Sequence, residues 1–148
     1  MMKTIDRRQA YLALAFDSHL EQLEQRPNSY LLPPLPAGFL HQVPPASCPP
    51  AEWVQLLPRQ EAACNAWLAV VPPRTFTSRT AYSVKHMIES MARGTPICPG
   101  WPRYVPMSML IAAAHSRGWR IQHSPGCTGK PRTVDGAYCC HPRLALPR

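Results

Sequence analysis

Acidic side chains are scarce in this chain. Its 148 residues hold eight Asp and Glu against sixteen Lys and Arg, and no two acids are paired in a way that suits acid–base catalysis. The sequence has no glycine-rich phosphate loop, no H-E-x-x-H helix and no nucleophile elbow, so the common routes to phosphoryl, metalloprotease and acyl-transfer chemistry lack their motifs. Long apolar runs are missing too. Tyr11 to Phe16 is six residues long and is followed by Asp17, too short for a signal-peptide core or a membrane span. A soluble, cytoplasmic protein without membrane contact is therefore expected, and in that compartment its six cysteines would be mostly reduced.

What the chain has in excess is proline and one-sided charge. Nine of its 19 prolines fall between Pro27 and Pro58, where they oppose long regular elements. The charge divides sharply. Residues 1–73 hold five bases and six acids, whereas residues 74–148 hold eleven bases against Glu89 and Asp135 alone. The halves therefore carry about −1 and +9. Such asymmetry points to a polyanion, or to an acidic protein surface, as partner of the second half.

Two stretches have clean helical periodicity. Val84, Met87, Ile88 and Met91 recur at i, i+3, i+4, i+7, and so do Met107, Leu110, Ile111 and Ala114. Each set makes one apolar stripe, and two such helices can bury their stripes against each other. Thr80 or Ser78 caps the first and Gly94 closes it. The second runs from near Pro106 to Gly118, with Trp119 packing back on its last turn. A further helix, within residues 1–25, runs from a cap at Thr4 or Asp6 to about Gln25, with Tyr11, Leu12, Ala15, Phe16, His19, Leu20 and Leu23 on its apolar face. Residues 26–58 read as an extended proline-rich strap, held by Tyr30, Leu31, Leu32, Leu35, Phe39, Leu40 and Val43. Two short helices, Ala51–Leu57 and Arg59–Val71, are expected on either side of Pro58, then a short strand over Arg74–Thr77. Trp119–His123 and Thr133–Cys140 read as paired strands, and Pro142–Arg148 as a tail. The fold class expected is α+β: one domain, 1–148, of four to five short helices with a C-terminal β-hairpin and a proline-rich strap. Helix, helix, strand, turn, strand is also the order of a winged helix-turn-helix. Here, however, about a dozen residues separate the helices, where that motif uses a turn of three or four.

The residues TAYSVKHMIE and YVPMSMLIAAAHSRGW resemble a pattern found in small, uncharacterised phage and plasmid proteins. That pattern is S-Y-x-x-K-H-x-x-E, then Y-V, then a helix with L/F-I-A-A-A, then G-F/W and a strand. The matching positions are Tyr82, Lys85, His86, Glu89, Tyr104, Val105, Leu110 to Ala114, Gly118 and Trp119, about a third of the chain. Two features depart from it: Pro106-Met107 at the start of the second helix, and a long loop over Thr95–Arg103. The resemblance implies a mobile-element accessory protein and brings no catalytic residues.

Two polar constellations remain. Lys85, His86 and Glu89 share one side of a helix; they read either as a polar cluster that meets a partner or, more plainly, as an exposed Lys–Glu pair with His86 packed on Tyr82. Cys127, Cys139, Cys140 and His141 are zinc-type ligands, with Cys98, His115 or His123 in reserve. No C-x₂-C pair is present, and adjacent Cys139 and Cys140 would point to opposite faces of a strand. No cofactor is therefore expected, with zinc as the alternative, and no small-molecule substrate is evident. The working surface expected is Arg79, Lys85, His86, Arg93, Arg103, Arg117, Arg120, Lys130 and Arg132. The function expected is non-enzymatic binding of nucleic acid by this basic half. The alternative is a protein-binding inhibitor or adaptor acting on a host factor such as a defence nuclease, of anti-CRISPR or anti-restriction type.

Overall fold

Every side chain from Met107 to Ala114 is buried. That stretch is apolar nearly all round, and a helix of this kind belongs in the middle of a core rather than on its surface. The computed structural model, which describes residues 7–24, 31–41, 50–77, 79–93, 98–122 and 142–146, builds the rest around it. In chain order the elements are α1 (Arg7–Glu24), α2 (Pro50–Val70), α3 (Ala81–Ser90), α4 (Met107–Ser116), β1 (Arg120–Gln122) and β2 (Arg143–Ala145). The α+β class is as expected. α4 packs on α2, α3 and β1, while α1 lies along α2. Among the described residues no helix is long and apolar enough to cross a membrane.

The core gathers Leu12 and Phe16 from α1, Trp67 from α2, Val84 and Ile88 from α3, and Leu110 and Ile111 from α4. Buried alanines on α2 (Ala62, Ala63, Ala66) and α4 (Ala112 to Ala114) allow the two helices to approach closely. The α3 stripe is buried at Val84 and Ile88 and only partly covered at Met87 and Met91. Thr80 caps α3, its Oγ1 accepting from Ser83 N at 3.2 Å. The helix ends at Ser90, before Gly94, which lies outside the described residues; its last turn tightens through bonds from Met91 N to Ile88 O and from Ala92 N to Glu89 O. On α1, Tyr11 is exposed rather than packed, and Thr4 and Asp6 lie outside the described residues.

Several local expectations are corrected. The chain does not break at Pro58: α2 is one helix with that proline inside it. The buried face of Gln60, Ala62 to Cys64 and Ala66 to Leu68, with Leu57 packed against the core, overrides an interior proline that costs about 3 kcal/mol on propensity alone. Residues 50–58 thus leave the expected strap. Its described part, 31–41, has neither helix nor strand. It turns at Phe39 N–Pro36 O, folds His41 Nε2 back onto Pro33 O at 2.7 Å, and buries Phe39 while Leu31 and Leu40 stay exposed. Arg74–Thr77 is no strand. Pro72 and Pro73 supply carbonyls that turn Pro73–Thr75 into a 3₁₀ helix, which drops Phe76 into the core against Trp119, ring centroids 5.4 Å apart.

The strand partner is also displaced. β1 pairs antiparallel with Arg143–Ala145, in the segment expected to be a tail, with Ile121 opposite Leu144. Leu144 is buried between an exposed and a half-buried neighbour, and the alternation a strand needs is carried by those three residues. Thr133–Cys140 lies outside the described residues. The same segment closes over the start of α3, with Ala81 N donating to Pro142 O at 2.6 Å.

The end of α4 is a Schellman turn: Trp119 N bonds Ala114 O and Gly118 N bonds His115 O, both at 3.0 Å, with Gly118 at φ +82°. A side chain there would force an L-residue into the left-handed region, at about 1–2 kcal/mol. Gly118→Ala should therefore lower the melting temperature by several degrees, and an unchanged melting curve would contradict the turn. Nearby, Arg117 donates to Asn65 Oδ1 and Asn65 O at 3.2 Å each. Burial, and then the Arg117 charge, push the His19 pKa below 6.5. The unfolded chain thus takes up a proton that the folded chain resists, so stability must fall as pH drops through about 6.5 towards the lower folded value. His19→Gln should flatten this decline in thermal melts between pH 7.5 and 5.

Candidate functional site

The Lys85–Glu89 pair is not on the surface. The two side chains meet at 3.0 Å, and the residues are 7 % and 6 % exposed. What covers them is the segment 98–106, which is bound to α3 at two points. Trp101 Nε1 donates to Ile88 O at 2.8 Å, and Val105 N donates to Glu89 Oε2 at 2.8 Å. Gln60 of α2 holds the same segment from the other side, its Nε2 donating to Tyr104 O at 3.1 Å. Trp101 packs on Phe16 of α1 with centroids 5.2 Å apart. The segment is therefore fixed to three helices.

Glu89 is the centre of this arrangement. Its Oε2 accepts from Lys85 and Val105, and its Oε1 meets His86 Nδ1 at 2.8 Å. A buried carboxylate needs such compensation. The Lys85 ammonium lies 4.6 Å from the Tyr104 ring centroid and 5.8 Å from that of Tyr82, within cation–π range. His86 stands edge-on to Tyr82 at 4.4 Å, as the plainer reading of the cluster expected, and its side chain is exposed. Burial, followed by the Glu89 charge, raises the Tyr104 pKa, so its hydroxyl stays protonated at neutral pH.

Two recesses open beside this clasp. One, of about 310 Å³, is lined by Glu89, Ala92, Arg93 and Arg103. The other, of about 290 Å³, is lined by Arg59, Gln60, Gly100, Trp101, Arg103 and Tyr104 among others. Arg103 borders both. Gly100 has φ +86°, and a Cβ there would meet the Arg59 side chain at 3.8 Å. Among the described residues lining the recesses the one carboxylate is Glu89, whose charge Lys85 balances.

The expected working surface is thus rearranged. Arg93 and Arg103 come together at one recess and are exposed, and His86 is exposed on α3. Lys85 points inward and is committed to Glu89. Arg117 is half-buried on Asn65, and burial lowers its pKa. Arg79 and Arg120 are exposed, but they belong to the opposite end of α3 and to β1, a helix length of about 15 Å away at 1.5 Å per residue. Lys130 and Arg132 lie outside the described residues. Arg59 was missed because it belongs to the half that carries no net excess of bases. The zinc-type residues Cys127, Cys139, Cys140, His141 and His123 also lie outside the described residues. Among the described residues no three His, Cys, Asp or Glu side chains gather as metal ligands. Cys64 is buried with its thiol pKa raised by that burial, and Cys98 is pushed up to about 11 by burial and then by Asp17. Neither thiol is poised as a nucleophile.

No family model matches the chain, and neither a curated protein nor a solved structure is significantly similar to it.

The clasp makes a quantitative prediction. Glu89→Ala leaves Lys85 buried without its counter-charge and should cost about 3–5 kcal/mol, read as a shift in the urea midpoint. Lys85→Met with Glu89→Gln removes both charges yet keeps an acceptor for Val105 N, and should cost less than Glu89→Ala alone. Equal losses in the two variants would mean that charge burial is not the term that matters.

Proposed function

We propose that this chain is a non-enzymatic accessory protein that binds nucleic acid through the surface around Arg59, Arg93 and Arg103, in keeping with the mobile-element pattern it resembles. One observation carries the reading. Three arginines from α2, the end of α3 and the 98–106 segment border two adjoining recesses, and the one carboxylate among their described lining residues is already paired with Lys85. A solvated face usually mixes signs, and the described lining residues do not. Guanidinium groups suit phosphate because they donate in a planar fork and never lose their charge. Half-exposed Tyr104, at the rim between them, offers a ring on which a base can stack.

Phosphate contacts release counterions, so log K should fall with log salt by about 0.7–0.9 per contact. Arg93→Glu with Arg103→Glu should weaken binding to labelled oligonucleotides and flatten the salt slope by about two contacts. Arg79→Glu with Arg120→Glu, at the far end of α3, should change affinity much less. The reading fails if the first pair binds like the parent. Capture of a nuclease by a protein that binds no oligonucleotide would instead support the inhibitor alternative.

A further inference from the structure

We infer, on the basis of the nucleic-acid reading above, that the strand this surface takes is single, with one nucleotide seated in the recess between Arg59 and Arg103 and its base against Tyr104.

Readout of a duplex usually needs a helix or ribbon that projects basic and polar side chains into a groove. The described helices do not offer one. α4 is buried from Met107 to Ala114, so the helix in the position of a recognition helix has no free face. α3 buries Lys85, its one base, and exposes Tyr82 and His86. The exposed face of α1 carries Tyr11, Leu14, Asp17 and Glu21, with bases only at its first two residues. On α2 the one basic residue is Arg59, at the rim of the recess.

The arginines lie instead around concavities. A recess of about 290 Å³ admits one unstacked nucleotide. Bases inside a duplex cannot enter it without being flipped out, which costs a few kcal/mol per base. A single strand has no such cost. Its phosphates meet Arg59 and Arg103 on the two sides, while the neighbouring unit runs into the recess that Arg103 shares with Arg93. Tyr104 is 42 % exposed, and the Lys85 ammonium beside its ring polarises it. Gln60 lines the same recess. Its Nε2 is spent on Tyr104 O, which fixes the orientation of the amide, and its Oε1 is buried with no hydrogen bond. That atom lies behind the accessible surface, so base preference is weak and set by stacking on Tyr104.

The test is fluorescence anisotropy of the full chain with a labelled single-stranded 12-mer and with the matching duplex at equal salt. The single strand should bind at least tenfold more tightly, with a salt slope of about 0.7 per phosphate contact against 0.9 for duplex. Tyr104→Ala should lower single-strand affinity by about tenfold or more, and Tyr104→Phe should retain it. Because Tyr104 also touches the clasp, Arg59→Glu provides an exposed second variant, expected to weaken the single strand more than the duplex. Duplex binding equal to or tighter than single-strand binding, or lost on Arg120→Glu with Arg143→Glu at the strand pair, overturns this inference and leaves the nucleic-acid reading standing. Absence of binding to both forms overturns that reading, and this one with it.

Discussion

A single carboxylate, Glu89, ties the 98–106 segment to α3. It lies within one helix but takes hydrogen bonds from an ammonium, an imidazole and a backbone amide. Two of these donors come from its own helix, whereas the third belongs to the 98–106 segment. Without the carboxylate, that segment would present Val105 N–H to a buried space without an acceptor, a state that proteins rarely tolerate. With it, Trp101 falls onto Phe16 and Ile88, and Arg103 and Tyr104 are set at the rim. The scarcity of acids thus has a structural side: one of the two acidic residues in the basic half is spent inside the fold, paired with Lys85.

Much of the fold was legible where one local pattern decided the outcome. The i, i+3, i+4 stripes placed α3 and α4, Thr80 marked a start, and Gly118-Trp119 marked an end, because caps and periodicities are settled by neighbours in sequence. Misreadings occurred where distant packing outvoted a local rule. Pro58 is a breaker by propensity, yet the buried face of α2 carries the helix through it. Arg74–Thr77 has β-branched character, but two preceding prolines supply carbonyls for a 3₁₀ turn. Arg143–Ala145 is too short to read as a strand until Ile121 is seen needing a neighbour.

The site divides along the same line. Charge asymmetry could be read from composition. Burial of Lys85 could not, since a Lys–Glu pair at i, i+4 is usually solvated, and only the covering segment changes that. Convergence was harder still. Arg59 and Arg103 are 44 positions apart, and no periodicity links them; the Gln60 bond to Tyr104 O brings their segments together.

The β1–β2 pair has a consequence for how the chain matures. Arg120 bonds across to the segment of Ala145, and Ala81 N–H is satisfied by Pro142 O. Both are contacts between residues far apart in sequence, which form late because closing a long loop costs entropy before the contact returns anything. During synthesis the four helices leave the ribosome before residues 142–146 do. Until those residues arrive, the first turn of α3 lacks its acceptor and the place that Leu144 fills stays open to water. The nascent chain therefore passes through an interval in which it is helical, incomplete along one edge and in need of protection from its neighbours.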